Sequence, residues 1–362
     1  MGHPELENTT PFAFEALYTN DEDGRPVVAP LVKATFDIGV GGVLGLAEEQ
    51  VAIRFTEESH GEPGSSSPRF EPESAFTKPA TDVVLIGHAH ALRRGTVQSE
   101  VSVRVGPVAK TVRVTGDRHW TRRFLGIAAT RPEPFEKIPL TYERSYGGWD
   151  RSHPDPERHS FHPANPVGVG FRARRTRWEE GARLPNVEDP AAVLRRYRGK
   201  SRPAGFGFTA PHWEPRRLFA GTYDASWERD RMPLLPKDFD RRFFNAAAPG
   251  LVAPGYLRGD EAVLVRGASA DGTVSFRLPG IHPPAILLSF RDRLDETLRT
   301  KLDTVIVDLD ERKLLLTWRA FTALDDGPLD VRSIAVHAEN APTPQASQQP
   351  SNVLNLPSRN AA

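Results

Sequence analysis

The chain has 362 residues, of which 38% are hydrophobic, and its 33 prolines and 29 glycines argue against long helical bundles. Basic and acidic residues balance at 47 each, so the formal net charge of zero argues against a dedicated binder of duplex DNA or anionic membranes. Cysteine is absent, which excludes disulfides, thiol catalysis and Cys-ligated metal sites and fits a reducing cytosol.

The start of the chain carries no sign of an export signal. Met1–Phe14 lacks both a basic and an apolar stretch, and no run approaches the roughly 18–20 apolar residues of a membrane-spanning helix. We therefore expect a cytoplasmic protein that neither inserts into membranes nor binds nucleic acid.

The first of three zones, about residues 12–120, alternates apolar and polar residues with the period of two that is typical of strands. Val101–Val105 and Val108–Val114 alternate on either side of Gly106 and Pro107, which predicts a hairpin. Further strands are predicted at Val27–Ile38, Val51–Thr56 and Asp82–Ala91, with a surface loop at His60–Pro68.

The second zone, about residues 121–260, has a different composition. It contains Trp149, Trp178, Trp213 and Trp227, and prolines and glycines interrupt every periodic run. Disordered chains lack this density of aromatic residues and arginines. The zone is therefore predicted to consist of ordered loops and short elements that pack on a sheet.

The third zone, about residues 261–339, returns to strands. Ala262–Arg266 and Thr273–Leu278 flank the dipeptide Asp271-Gly272, which is typical of tight hairpin turns. Further elements are predicted as strands at Thr304–Leu309, Lys313–Phe321 and Leu329–His337, and as a short helix at Arg291–Lys301. Residues 341–362 are polar and rich in proline, which predicts a disordered tail.

Strand zones on both sides of the loop zone indicate how the domain is built. Strands from the two ends would pair into one β-rich domain over residues 1–340, with two separate domains as the alternative. The predicted fold class is mainly β: an antiparallel sandwich or barrel-like body, a long, ordered, loop-rich central insertion and few short helices.

Several fragments imitate cofactor sites without the context that such sites need. Gly199-Lys200-Ser201 resembles the end of a phosphate-binding loop, but no strand precedes it and Leu194 stands where a glycine is required. The runs 168–173 and 205–210 imitate dinucleotide-binding glycines beside prolines. His153, His159 and His162 lie in a loop broken by prolines, with no recognised spacing of metal ligands. We predict neither a cofactor nor a metal.

The sequence offers little for catalysis. There is no G-x-S-x-G motif, and we predict no catalytic residue. Asp238 and Asp240 could form the acid and base of a carbohydrate- or cell-wall-acting hydrolase. They fit better as ion-pair partners that organise the loop zone together with Arg241 and Arg242. Their segment is predicted to form buried charge pairs with neighbouring loops, and the candidate partners are Glu188, Asp189 and Arg144.

Six phrases of the loop zone are specific enough to identify a family resemblance. They are Tyr142–Gly148, Asn165–Phe171, Leu184–Pro190, Pro203–Gly207, Ala220–Asp224 and Leu235–Ala247. In this order they resemble a bacterial domain-of-unknown-function family encoded with type VI secretion genes, near or fused to pentapeptide-repeat and spike-tip (PAAR-like) proteins. The resemblance spans about residues 10–330, and the arginine-rich run Arg172–Arg177 departs from it.

The resemblance implies an adaptor or chaperone that binds a cognate effector and helps to load it onto the secretion spike. Its partner would be a secreted effector, a spike-tip protein or both, and a structural spike component is a further alternative. The aromatic residues among the candidates fit either a core beneath long loops or an interface. The candidate partner-binding or loop-organising residues are Trp149, Asn165, Trp178, Tyr223, Asp224, Trp227, Asp238, Asp240, Arg241, Phe243, Phe244 and Asn245.

Overall fold

A computed structural model describes residues 4–124, 126–174 and 176–339. The predicted tail, residues 341–362, lies outside the described residues. The strands are β1 Glu5–Asn8, β2 Ala13–Asn20, β3 Pro26–Ile38, β4 Leu44–Leu46, β5 Glu58–Ser59, β6 Pro68–Phe70, β7 Asp82–Ile86, β8 His88–His90, β9 Gln98–Val105, β10 Val108–Thr115, β11 Trp120–Arg123, β12 Gly126–Ala129, β13 Lys137–Pro139, β14 Tyr146–Gly147, β15 Trp149–Asp150, β16 Ser160–Phe161, β17 Val169–Gly170, β18 Val187–Glu188, β19 Ala262–Arg266, β20 Thr273–Arg277, β21 Ala285–Phe290, β22 Glu296–Arg299, β23 Lys301–Asp308, β24 Lys313–Arg319, β25 Thr322–Ala323 and β26 Val331–His337.

Helical structure is sparse. The α-helix α1 spans Ala225–Asp230, and the side chain of Asp224 caps it by accepting hydrogen bonds from the backbone N–H groups of Ser226 and Trp227. Short 3-10 helices lie at Val40–Gly42, Tyr142–Arg144, Pro156–Arg158, Arg216–Phe219, Arg241–Phe244 and Gly327–Asp330.

A seven-stranded sheet lies at the centre of the fold. It runs β2-β3-β24-β23-β7, with β4 and β25 also paired to β3. β3 is buried along nearly all of its 13 residues, which explains its almost continuous apolar run. Lys33 is the one buried charge within β3, and it forms an ion pair with Glu73. β7 pairs with β23 in parallel, whereas β24 is antiparallel to both of its neighbours.

Two smaller sheets complete the body. One is five-stranded, in the order β18-β10-β9-β19-β20, and the other is four-stranded, in the order β1-β26-β21-β22. The predicted hairpin of β9 and β10 is confirmed, and Val105 lies opposite Val108 beside its turn. The predicted hairpin of β19 and β20 is confirmed as well. β19 also pairs with β9, so strands of the first and third zones share sheets.

Two predicted elements are wrong. Arg291–Lys301 is not helical, because its second half forms β22, in which Leu298 pairs with Ile286 of the neighbouring strand. Tertiary pairing overrides the local helical pattern there. The predicted strand at Val51–Thr56 is irregular chain. The side chain of Gln50 binds both the N–H and the C=O of Thr35, so the chain passes β3 without backbone pairing.

The predicted fold class is otherwise confirmed: the protein is mainly β, with mostly antiparallel sheets and few short helices. Within the described residues the sheets do not close into a barrel. In the same part of the chain, no helix has the length and apolar character needed to cross a bilayer.

Buried charges join the loop zone to the central sheet. Asp82 of β7 is fully buried and forms an ion pair of 2.8 Å with Lys78. The side chain of Asn245 donates to the Asp82 carboxylate at 2.9 Å, and the backbone N–H of Ala246 donates to it at 3.0 Å. A buried carboxylate that is satisfied in this way fixes the loop zone against the sheet.

Candidate functional site

A cleft of about 1040 Å³ opens in the loop zone. Its walls include the side chains of Trp149, Phe161 and Trp178. Trp213 lies at its base, and Ser65 and Ser66 of a surface loop complete the lining. The sequence places Trp149 and Trp178 far apart in separate phrases, and the structure brings both into this one cleft.

Asn165 is fully buried beneath the cleft and holds its floor together. Its side-chain amide donates to the carbonyl oxygens of Tyr142 at 2.9 Å and Tyr146 at 3.1 Å. β14 and β17 pair in parallel beside it. A Cβ atom at Gly168 would clash with the Asn165 amide, so glycine is required for this close approach. The first two family phrases therefore build the floor, and Asn165 is a loop-organising residue.

The outer wall is an exposed aromatic pair. Trp149 and Phe161 lie opposite each other on β15 and β16, with ring centroids 4.7 Å apart. Their side chains remain 43% and 41% exposed, although large apolar side chains normally lie inside. The guanidinium of Arg151 lies 5.2 Å from the ring centroid of Trp149. Sequence reasoning missed Phe161 and Arg151, because a two-residue strand carries no detectable periodicity.

The inner wall is packed more tightly. Trp178 contacts Tyr197 edge-to-face at 4.8 Å, and the Tyr197 hydroxyl donates to the carbonyl oxygen of Arg177 at 3.0 Å. Arg172 forms an ion pair with Glu179 at 2.8 Å. These contacts give the wall a fixed shape.

Asp150 ties the two walls together. Its buried carboxylate accepts hydrogen bonds from the backbone N–H of Ala173 at 2.9 Å and from the hydroxyl of Thr176. Burial alone would raise the pKa of Asp150, but the hydrogen bonds from Thr176 and from the backbone outweigh burial and lower it. Ala173 and Thr176 of the arginine-rich run thus bind an ionised carboxylate.

The cleft carries an excess of positive charge. Three arginines line it, Arg151, Arg172 and Arg177, against the two acids Glu57 and Glu179. Arg172 and Glu179 neutralise each other. Within the part of the chain that the structure describes, Arg151 and Arg177 form no ion pair.

A second group of candidates surrounds α1. Tyr223 lies 4.7 Å from Trp227 between ring centroids and is 53% exposed. The indole N–H of Trp227 donates to the carbonyl oxygen of Leu234 at 2.8 Å. Asp238 accepts hydrogen bonds from the N–H and the hydroxyl of Thr222 at 2.9 and 2.7 Å. Asp224 and Asp238 thus shape this excursion of the chain, and none of these residues lines the cleft.

The third group, Asp240 to Asn245, packs against the central sheet. Phe244 contacts Phe76 edge-to-face at 5.3 Å, and Phe243 lies 6.1 Å from Phe244. Arg241 pairs with Glu22 at 2.6 Å, and Asp240 pairs with Arg242 at 2.5 Å.

The predicted partners of that group are wrong. Glu188 pairs instead with Arg118 at 2.6 Å, and Asp189 pairs with Arg202 at 2.8 Å. Arg144 donates to Asn186 at 3.3 Å. The physical reason is that Asp240 caps its own 3-10 helix and pairs with Arg242, while Arg241 pairs with Glu22, so the charges of this segment are satisfied near the surface.

The histidine fragment and the fragment that resembles a phosphate-binding loop make local contacts within the loop zone. The ring nitrogen Nε2 of His159 bonds the carbonyl oxygen of His153 at 2.9 Å, and the rings of His162 and Tyr146 meet edge-to-face. The N–H of Gly199 donates to the carbonyl oxygen of Arg196 at 2.8 Å. Across residues 4–124, 126–174 and 176–339, no group of three or more acidic or histidine side chains is placed to hold a metal ion.

Comparison with known protein families gives a match over most of the chain. A family model described as "Uncharacterized protein conserved in bacteria (DUF2169)" matches residues 23–319. Neither the search of curated proteins nor that of solved structures gives a match. The matched region includes the whole cleft and most of both strand zones, and it covers far more than half of the chain, so this protein belongs to that bacterial family.

Proposed function

We propose that this protein is a type VI secretion adaptor that binds a secreted effector in the cytoplasm and presents it to the secretion spike. The resemblance of the six loop-zone phrases supports this proposal. The observation that carries it is the exposed pair of Trp149 and Phe161, with Arg151 beside it, on the wall of a cleft of about 1040 Å³.

The composition of the cleft favours binding of a protein. Tryptophan, tyrosine and arginine are the residue types that dominate the binding energy of protein interfaces. Exposure of the Trp149 and Phe161 rings to water is unfavourable, so a partner that covers both rings gains free energy of binding. The volume of about 1040 Å³ slightly exceeds the roughly 300–1,000 Å³ range of small-ligand pockets, which favours a polypeptide segment over a small substrate.

The hydrolase alternative has less support. A general acid needs a raised pKa, whereas a backbone hydrogen bond from Thr222 lowers the pKa of Asp238. Hydrogen bonds from Arg242 likewise lower the pKa of Asp240. Neither carboxylate lines the cleft. No specific observation favours a structural spike component over an adaptor.

A secretion assay in the native host tests the proposal. The gene is deleted, and export of each effector is measured after complementation with wild type, with the double variant Trp149→Ala/Phe161→Ala, or with Phe124→Ala. Phe124 is a matched control because it is a fully exposed aromatic residue outside the cleft. We expect the double variant to lose export of one effector while the control restores it. Normal export of every effector in the deletion strain would contradict the proposal.

A further inference from the structure

We infer that the cleft receives an extended, acidic segment of the partner that carries a ring side chain, and not a folded surface of the partner. This inference rests on the proposed function, because it specifies the chemistry of the ligand at the same cleft.

The shape of the cleft is the first feature that favours an extended segment over a folded partner surface. A folded partner docks through a broad surface of roughly 800 Å² on each side, with no need of a deep recess. The recess here is about 1040 Å³ and is open to solvent between two walls that the buried Asp150 holds together. A chain segment without its own fold can enter such a recess and contact both walls and the floor.

The charge of the side chains that line the cleft is the second feature, and it favours an acidic segment. Once Arg172 has paired with Glu179, Arg151 and Arg177 face Glu57 alone, and Glu57 already accepts a hydrogen bond of 3.0 Å from the Ser59 hydroxyl. The cleft is therefore positive in a chain whose formal net charge is zero. Because the guanidinium of Arg151 lies beside Trp149, its planar set of N–H donors is held in place to bind a carboxylate in a bidentate manner.

The aromatic wall carries the third step. Trp149 and Phe161 are tilted by 38° to each other, and each keeps about two fifths of its surface open. Aromatic-lined grooves accept extended segments by stacking with proline or aromatic rings. A ring between acidic residues would place its face on this pair and its neighbouring carboxylates beside Arg151 and Arg177.

Fluorescence anisotropy with defined peptides tests the inference on the full chain. The probe is a short, fluorescein-labelled, glutamate-rich peptide with a central Pro-Tyr pair. Its companions replace the glutamates by glutamine, the glutamates by lysine, or the Pro-Tyr pair by alanines. We expect the acidic peptide to bind, each companion to bind at least about tenfold more weakly, and binding to weaken with salt.

Variants assign the effect to the cleft. Arg151→Ala should weaken binding of the acidic peptide about tenfold, because a bidentate charge-assisted contact is lost. The affinity of Arg151→Lys for the same peptide should lie between those of wild type and Arg151→Ala. Arg299 is exposed and lies outside the cleft, so Arg299→Ala should leave the affinity for the acidic peptide unchanged. Equal binding of the lysine peptide, or wild-type affinity in Arg151→Ala, would overturn the inference.

The two proposals can fail separately. If no peptide binds while Trp149→Ala/Phe161→Ala still abolishes export, the acidic segment is wrong and the adaptor function stands. If the acidic peptide binds selectively while Trp149→Ala/Phe161→Ala exports normally, the cleft binds acidic segments but has no role in secretion.

Discussion

The side-chain amide of Asn165 donates a hydrogen bond of 3.1 Å to the main-chain oxygen of Tyr146 directly beneath the cleft. This contact joins two segments of the loop zone that are 19 positions apart in sequence. The buried amide thus adds side-chain hydrogen bonds to the backbone pairing of β14 with β17 that forms the floor of the cleft.

Replacing Asn165 by alanine should lower the free energy of unfolding by about 1–3 kcal/mol, because the carbonyl oxygens of Tyr142 and Tyr146 each lose a buried hydrogen bond. Urea denaturation measures the change, with Asn20→Ala at the exposed end of β2 as the control. The control should stay within about 0.5 kcal/mol of wild type. Equal stability of both variants would show that the amide does not hold the floor.

Asp82 is the charge that fixes the loop zone to the central sheet. Asp82→Asn should lower the free energy of unfolding by about 3–5 kcal/mol, because Lys78 would keep a buried charge without its partner. Chemical denaturation should place the exposed control Asp292→Asn at the wild-type midpoint. A loss below about 1 kcal/mol for Asp82→Asn would refute the buried pair.

Asp240 should behave as a cap and not as a buried charge. It accepts a hydrogen bond of 2.8 Å from the N–H of Arg242 at the start of a 3-10 helix. Asp240→Ala should therefore cost about 1 kcal/mol of unfolding free energy. Export of the effector should be unchanged. Wild-type melting together with lost export would instead point to direct contact or to chemistry at this carboxylate.

The lowered pKa of Asp150 leads us to expect a pH-dependent free energy of unfolding in acid. The pKa of its carboxyl is lower in the folded protein than in the unfolded chain, so the folded state binds fewer protons. Its contribution is therefore fully present above the unfolded pKa of about 3.9 and is lost as the pH falls through the folded value. The difference in unfolding free energy between wild type and Asp150→Asn should shrink below about pH 4. A constant difference between pH 7 and pH 3 would contradict this assignment.

Local patterns predicted much of the sheet structure. The turns at Gly106 and Asp271-Gly272 fix both hairpins, because each signal lies within a few residues of the strands that it joins. The parallel pairing of β7 with β23 depends on contacts more than 200 positions apart, so no local pattern could indicate it. Arg291–Lys301 failed as a helix for the same reason, since its partner strand decides its conformation.

The site was predictable in composition but not in geometry. Trp149 and Trp178 were candidates because their residue type is typical of interfaces, yet nothing in the sequence separates them from Trp227, which lies outside the cleft. Phe161 and Arg151 become candidates only through their contacts with the Trp149 ring. These contacts form only when the loop zone folds, so the sequence does not reveal them.

The most direct test places a photo-crosslinking phenylalanine analogue at Phe161 in the native host and, separately, at Phe124. The account predicts that illumination links position 161 to the effector whose export is lost in the deletion strain, and that position 124 gives no such product. Crosslinks to that effector from position 124, with none from position 161, would contradict the claim that the cleft is where the partner binds.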